Sequence, residues 1–76
     1  METTMIKSQL HSKVRELVDQ LPTEQREVVI LRHYADMSFK EISQITRVSI
    51  NTALGRMRYA LINMRKLAEE NHLVLK

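Results

Sequence analysis

The stretch from Met37 to Tyr59 constrains the fold most, because it carries two helix starts separated by one short break. Ser38 is followed three residues later by Glu41, the spacing of a capping box. The Ser38 hydroxyl can accept from the Glu41 amide while the Glu41 carboxylate accepts from the Ser38 amide. Ile42 and Ile45 then form an apolar i, i+3 pair. Thr46, Arg47 and Val48 interrupt that pattern, and Ser49 offers a second N-cap. Two helices joined by a turn of about three residues have the spacing of a helix-turn-helix. Val48 is placed to plug the gap between them. We predict helix three over 38–46 and helix four from Ser49 or Ile50 to near Asn71, with the helix-turn-helix spanning 38–60.

One Gly and one Pro in 76 residues leave little material for tight turns, and period-2 apolar alternation is absent. The expectation is therefore all-α, a single four-helix domain over 1–76 ordered from about 6 to 70. Residues 1–5 read as disordered. Ile6, Leu10, Val14, Leu17, Val18 and Leu21 trace one helical face, which puts helix one at 5–20. Leu21-Pro22 ends it, since the residue before proline is pushed out of the α region. Pro22 also suits the first turn of helix two, predicted over 23–35, with Glu24 at the positive end of its dipole. The run Val28 to Leu31 is apolar nearly all round, so helix two is expected mid-bundle, enclosed by its neighbours. Met37 is expected as a core plug. The tail Leu73-Val74-Leu75 either frays, folds back on helix one or docks a partner.

Composition excludes several functions. With no cysteine, neither a disulfide framework nor a thiolate metal site can form. His11, His33 and His72 are far apart and make no H-x-x-x-H pair. There is no glycine-rich phosphate loop, and carboxylates are scattered over polar helix faces. An enzyme is not expected, nor any cofactor. No apolar run approaches the ~18 residues of a membrane span, and no secretory leader is legible. The location expected is the cytoplasm.

The charge distribution is more telling than the net +3. Residues 1–41 hold six Lys/Arg and seven Asp/Glu, whereas 42–68 hold Arg47, Arg56, Arg58, Arg65 and Lys66 with no acid. That is the footprint of a polyanion binder; the plain alternative is a solvated helix face. At about 100° per residue, Ala53, Met57, Ala60, Met64 and Leu67 form the core face of helix four, flanked by Ile50, Leu61 and Ala68. Asn51, Gly55, Arg58, Tyr59, Ile62 and Lys66 lie opposite.

The first turns of that opposite side carry the chemistry of a major-groove reader. Arg58 suits guanine and Asn51 adenine, each by a bidentate contact. Ser49, Thr52 and the free amides at the helix start suit phosphate. Gly55 costs about 1 kcal/mol relative to alanine in a helix. Its missing side chain would let the backbone approach base edges or a sugar-phosphate strand. Tyr59 can stack on a sugar or donate to phosphate, or serve as an ordinary amphipathic surface residue. Arg56 can touch phosphate or pair with Glu41 across the motif, and the pair is the expectation.

The ordered set Leu21-Pro22-x-x-x-Arg26-x-Val28, Leu31-Arg32, Met37-Ser38-Phe39-Lys40-Glu41-Ile42, Val48-Ser49-Ile50-Asn51-Thr52 and Arg56-Met57-Arg58-Tyr59-Ala60 resembles the C-terminal region 4 domain of bacterial RNA polymerase sigma factors. The extracytoplasmic-function type is the nearest, and the resemblance covers about residues 10–68. It implies a winged-helix-like architecture without a wing, whose last helix enters the major groove of the promoter minus-thirty-five element to direct transcription initiation. It also implies docking on the flap of the polymerase β subunit and, in many members, control by an anti-sigma factor. Positions matching Asn51, Thr52, Leu54, Gly55, Arg58 and Tyr59 face DNA in that family, and so does the position of Arg32; Lys40 lies nearby and suits phosphate. Three positions depart from the family pattern. Arg47 replaces a turn glycine, Leu54 replaces a basic residue, and Gly55 replaces a serine. Two other functions fit a helix-turn-helix of this size. One is a response-regulator-type output domain, which would dimerise where a lone region 4 domain would be monomeric. The other is a protein-interaction module that binds polymerase or an anti-sigma factor without DNA.

Overall fold

The computed structural model describes residues 12–71. Within them the chain forms α1 (12–19), α2 (Thr23–Val29), a π-helical turn (Ile30–Tyr34), α3 (Phe39–Thr46) and α4 (Ile50–Glu70). The expectations for residues 1–5, for the first half of helix one and for the Leu73-Val74-Leu75 tail lie outside the described residues.

Each boundary has a local cause. Pro22 caps α2 with an extended ψ of 148°, and its carbonyl accepts the Arg26 amide at 2.9 Å. The Ser38 capping box is complete: the Glu41 amide donates to Ser38 Oγ and the Ser38 amide donates to Glu41 Oε1, both at 3.1 Å. α3 ends on Arg47 in the left-handed conformation, φ 58°. There the Ser43 carbonyl accepts from both the Arg47 and Val48 amides. α4 starts on Ser49, whose Oγ accepts the Thr52 amide at 3.0 Å. It closes on Asn71, whose Nδ2 donates to the Leu67 carbonyl at 2.7 Å.

Helix two departs from the sequence expectation. The regular α-helix stops at Val29, and the Ala35 amide donates to the Ile30 carbonyl at 3.1 Å, five residues back. One extra residue in a turn rotates the succeeding chain by about 100°. Beyond it Asp36 takes φ 54° and the Met37 amide reaches the Leu31 carbonyl at 3.0 Å. Nor is the helix enclosed on all sides: Val28 and Val29 are buried, Leu31 is half-buried, and Ile30 is exposed. Four consecutive apolar residues necessarily point in four directions, and two neighbours cover only half of them.

The core has two clusters that meet at Met57. Val18, Leu21, Val29, Ala60 and Met64 pack together, with Val14, Met57 and Leu67 at the edge. Val28, Ile42 and Ala53 form the second, edged by Leu31, Met37, Phe39, Val48 and Met57. Met37 and Val48 thus take the plugging positions expected of them. Adjacent Val28 and Val29 place α2 against both clusters, and fully buried Ala53 and Ala60 let α4 approach closely. α1 and α2 thereby back the helix-turn-helix from behind. Three apolar expectations fail at the rim. Ile45 is 55% exposed, Ile50 44% and Leu61 55%. The core reaches one side of α3, and Ile45 lies beyond it; Ile50 and Leu61 sit where the α4 core face curves into solvent.

Candidate nucleic-acid interface

α4 divides into a buried side and a solvent side along its whole length. Ala53, Ala60, Met64 and Ala68 are buried, while Asn51, Thr52, Leu54, Arg58 and Tyr59 are exposed and Gly55 is half-buried. A β-carbon added at Gly55 would meet no atom within 4 Å, so the fold itself does not require glycine there. Leu54 is 44% exposed beside Arg58, which puts an apolar contact within a cationic surface.

The start of α4 is more committed than its sequence suggests. Ser49 Oγ accepts the Thr52 amide and donates its own proton to Thr52 Oγ1 at 2.9 Å. Ser49 therefore serves the helix cap. The amides of Ile50 and Asn51, at the first helical positions, have no intrahelical partner, and the Thr52 hydroxyl proton stays free to donate. An anion at this end would meet those three donors and the positive end of a 21-residue dipole.

Arg32 is held rather than free to swing. Its Nη1 donates to the Met37 carbonyl at 2.9 Å, and its guanidinium lies 5.2 Å from the Phe39 ring centre. The π-helical turn thus places Arg32 at the start of α3, where Lys40 is also exposed in the first turn. Four of its five N–H donors keep other directions. Glu41 in the same turn is spent on its cap. The Ser38 amide, and after it the Ser38 hydroxyl, hold its carboxyl below the ordinary value of 4.5.

The expected Arg56–Glu41 pair does not form. Arg56 Nη2 instead lies 3.7 Å from Glu24 Oε2 of α2. Glu41 is engaged by Ser38, and Arg56 shares its helix side with Asn63, two turns on. Asn63 Nδ2 donates to Gln25 Oε1 at 2.7 Å, so this side of α4 runs along α2. The Gln25–Asn63 bridge has no counterpart among the sequence expectations; two neutral amides 38 positions apart give no local signal.

Among the described residues no group of three His, Asp or Glu could hold a metal ion, and no helix is long and apolar enough to cross a membrane. The arrangement offers a convex helix with donors, not a pocket that would enclose a reacting group. In comparisons with known proteins, the family described as "Sigma-70, region 4" matches residues 11–61. No curated protein and no solved structure gives a match.

Proposed function

The chain belongs to the sigma-70 region 4 family, a family of DNA-binding regulatory domains and not of enzymes, and on that premise we propose that α4 reads the promoter minus-thirty-five element in the major groove. One observation carries the reading: the solvent side of α4, free of acids as far as residue 68, presents Asn51, Gly55 and Arg58 together, with open space over Gly55. In this reading Arg58 and Asn51 contact base edges, and Leu54 packs on a thymine methyl. Thr52, the Ile50 and Asn51 amides, Tyr59, Arg32 and Lys40 hold phosphate or sugar and set the register. Ser49 contributes by fixing the helix start, and Arg56 by holding α4 against α2 unless phosphate displaces Glu24. The partners in this reading are double-stranded promoter DNA and RNA polymerase through its β flap, with an anti-sigma factor as the regulator. The isolated domain acts as a monomer.

Gly55 gives the test. A β-carbon there meets no atom within 4 Å, and replacing the glycine with Gln removes a helix penalty of about 1 kcal/mol. Gly55→Gln should therefore unfold at higher temperature and yet bind duplex DNA at least tenfold more weakly. Binding is followed by fluorescence anisotropy with a candidate promoter duplex and a scrambled one at two salt concentrations. Unchanged affinity in the more stable variant refutes close approach of the α4 backbone to DNA. Native affinity should fall towards the non-specific range of about 10⁻⁴ to 10⁻⁶ M, as expected of one module outside its holoenzyme.

A further inference from the structure

Phe39 is the first helical residue of α3, and the Ser38 capping box directly before it fixes where its side chain leaves the helix. The half-buried ring packs against the core cluster of Val28, Ile42 and Ala53. The same ring carries the Arg32 guanidinium, 5.2 Å from its centre and within cation–π range. That contact spans the connection between the π-helical turn and α3. A second one fixes its direction, since Arg32 Nη1 donates to the Met37 carbonyl at 2.9 Å. The Met37 amide in turn donates to the Leu31 carbonyl at 3.0 Å, so backbone and side chain close the same connection together. Arg32 is thus held at two points although it is exposed. An exposed arginine ordinarily swings through many rotamers, and ordering it on a ligand costs affinity. A leucine at position 39 would fill the edge of the core as the phenylalanine does. Only an aromatic face attracts the cation.

We propose that Phe39 is a positioning residue for DNA: it holds Arg32 in the direction in which its free donors meet a backbone phosphate, and touches no DNA itself. This rests on the promoter reading, in which Arg32 is a phosphate contact. One N–H of Arg32 goes to Met37, and four remain for phosphate oxygens. Lys40, the next residue after Phe39, is exposed in the same turn and puts a second cation at the same place. Holding Arg32 before DNA arrives removes its ordering cost, worth about two- to tenfold in affinity for one rotamer-rich side chain. Every step of a duplex presents a phosphate, so the gain is the same for any sequence.

The test uses the full chain, with a candidate promoter duplex and a scrambled one, at a temperature where every variant is folded. Phe39→Leu should weaken both duplexes alike, by about two- to tenfold. Phe39→Tyr keeps the aromatic face and should bind as the native chain does. With Arg32→Ala already in place, Phe39→Leu should have no further effect on either duplex. A merely structural role would persist in that background, so additive losses overturn the proposal. Native-like binding by Phe39→Leu overturns it as well, and so does weakened binding by Phe39→Tyr. NMR follows the holding without DNA. The ring current of Phe39 should displace the Arg32 Cδ proton signals in the native chain, and Phe39→Leu should return them to their random-coil position. Random-coil signals in the native chain overturn the proposal. Failure of the native chain to bind any duplex sinks the promoter reading and takes the phosphate role with it; displaced Arg32 signals would then show that the clasp exists and that its ligand was misassigned.

Discussion

Arg47 holds a conformation that costs an L-residue roughly 1–2 kcal/mol, at φ 58° in the turn between α3 and α4. The turn nevertheless closes, because the left-handed residue lets the Ser43 carbonyl accept two amides. Arg47→Gly should therefore stabilise the domain by about 1 kcal/mol, seen as a higher urea midpoint with an unchanged slope. A lower midpoint would show that the Arg47 side chain contributes more than its backbone costs. Glu41 gives a pH-dependent prediction at the same scale. Its carboxyl is held below the ordinary 4.5 when folded, by the Ser38 amide first and the Ser38 hydroxyl second. The unfolded chain thus binds the proton more readily, and stability rises with pH through that window. The contribution is complete above the unfolded value and is lost as pH falls through the folded one. Glu41→Gln should flatten this acid limb of the stability profile and leave its neutral part parallel to the parent's. An unaltered acid limb would mean that other carboxyls set it.

Between elements, the Gln25–Asn63 bridge is a half-buried side-chain hydrogen bond that joins α2 to α4. Removing one amide leaves the other short of a partner, at a cost of about 1–3 kcal/mol. Asn63→Ala should lower the urea midpoint accordingly, and a double-mutant cycle with Gln25→Ala should return a coupling energy. Additive losses would show that the two amides act independently. This bridge also marks the limit of what the sequence discloses. The capped starts at Ser38 and Ser49 and the buried stripe of α4 are legible because each is local, set by spacings of three and four residues. The Arg56–Glu24 pair and the Arg32–Met37 contact are not, because each depends on where the chain returns after a turn. The π-helical turn is equally hidden. No Pro or Gly marks it, and its register depends on how Arg32 and Met37 meet. Ile45 and Leu61 mislead for a related reason: periodicity locates an apolar stripe but not how far the neighbours cover it.

At the scale of the whole molecule the charges are sorted along the chain, with acids kept out of residues 42–68. That sorting puts the cost and benefit of DNA binding in different places, and two substitutions separate them. Lys40 is exposed in the first turn of α3, and in the proposed reading it touches phosphate only. Losing one phosphate contact lowers the slope of log K against log salt by about 0.9 for duplex DNA. Lys40→Ala should therefore weaken a promoter and a scrambled duplex by the same factor and reduce the salt slope by about that amount. Arg58, proposed to read a base, should behave in the opposite way. Arg58→Ala should cost about 1–3 kcal/mol on the preferred duplex and much less on the scrambled one, so that sequence preference collapses. The two variants are distinguished by the ratio of affinities rather than by either affinity alone. If Arg58→Ala lowers both affinities equally, Arg58 is a phosphate ligand, and base readout must rest on Asn51 and Leu54. If neither variant alters the salt slope, the acid-free surface is a solvated helix face and the polymerase, not the DNA, is what this domain holds.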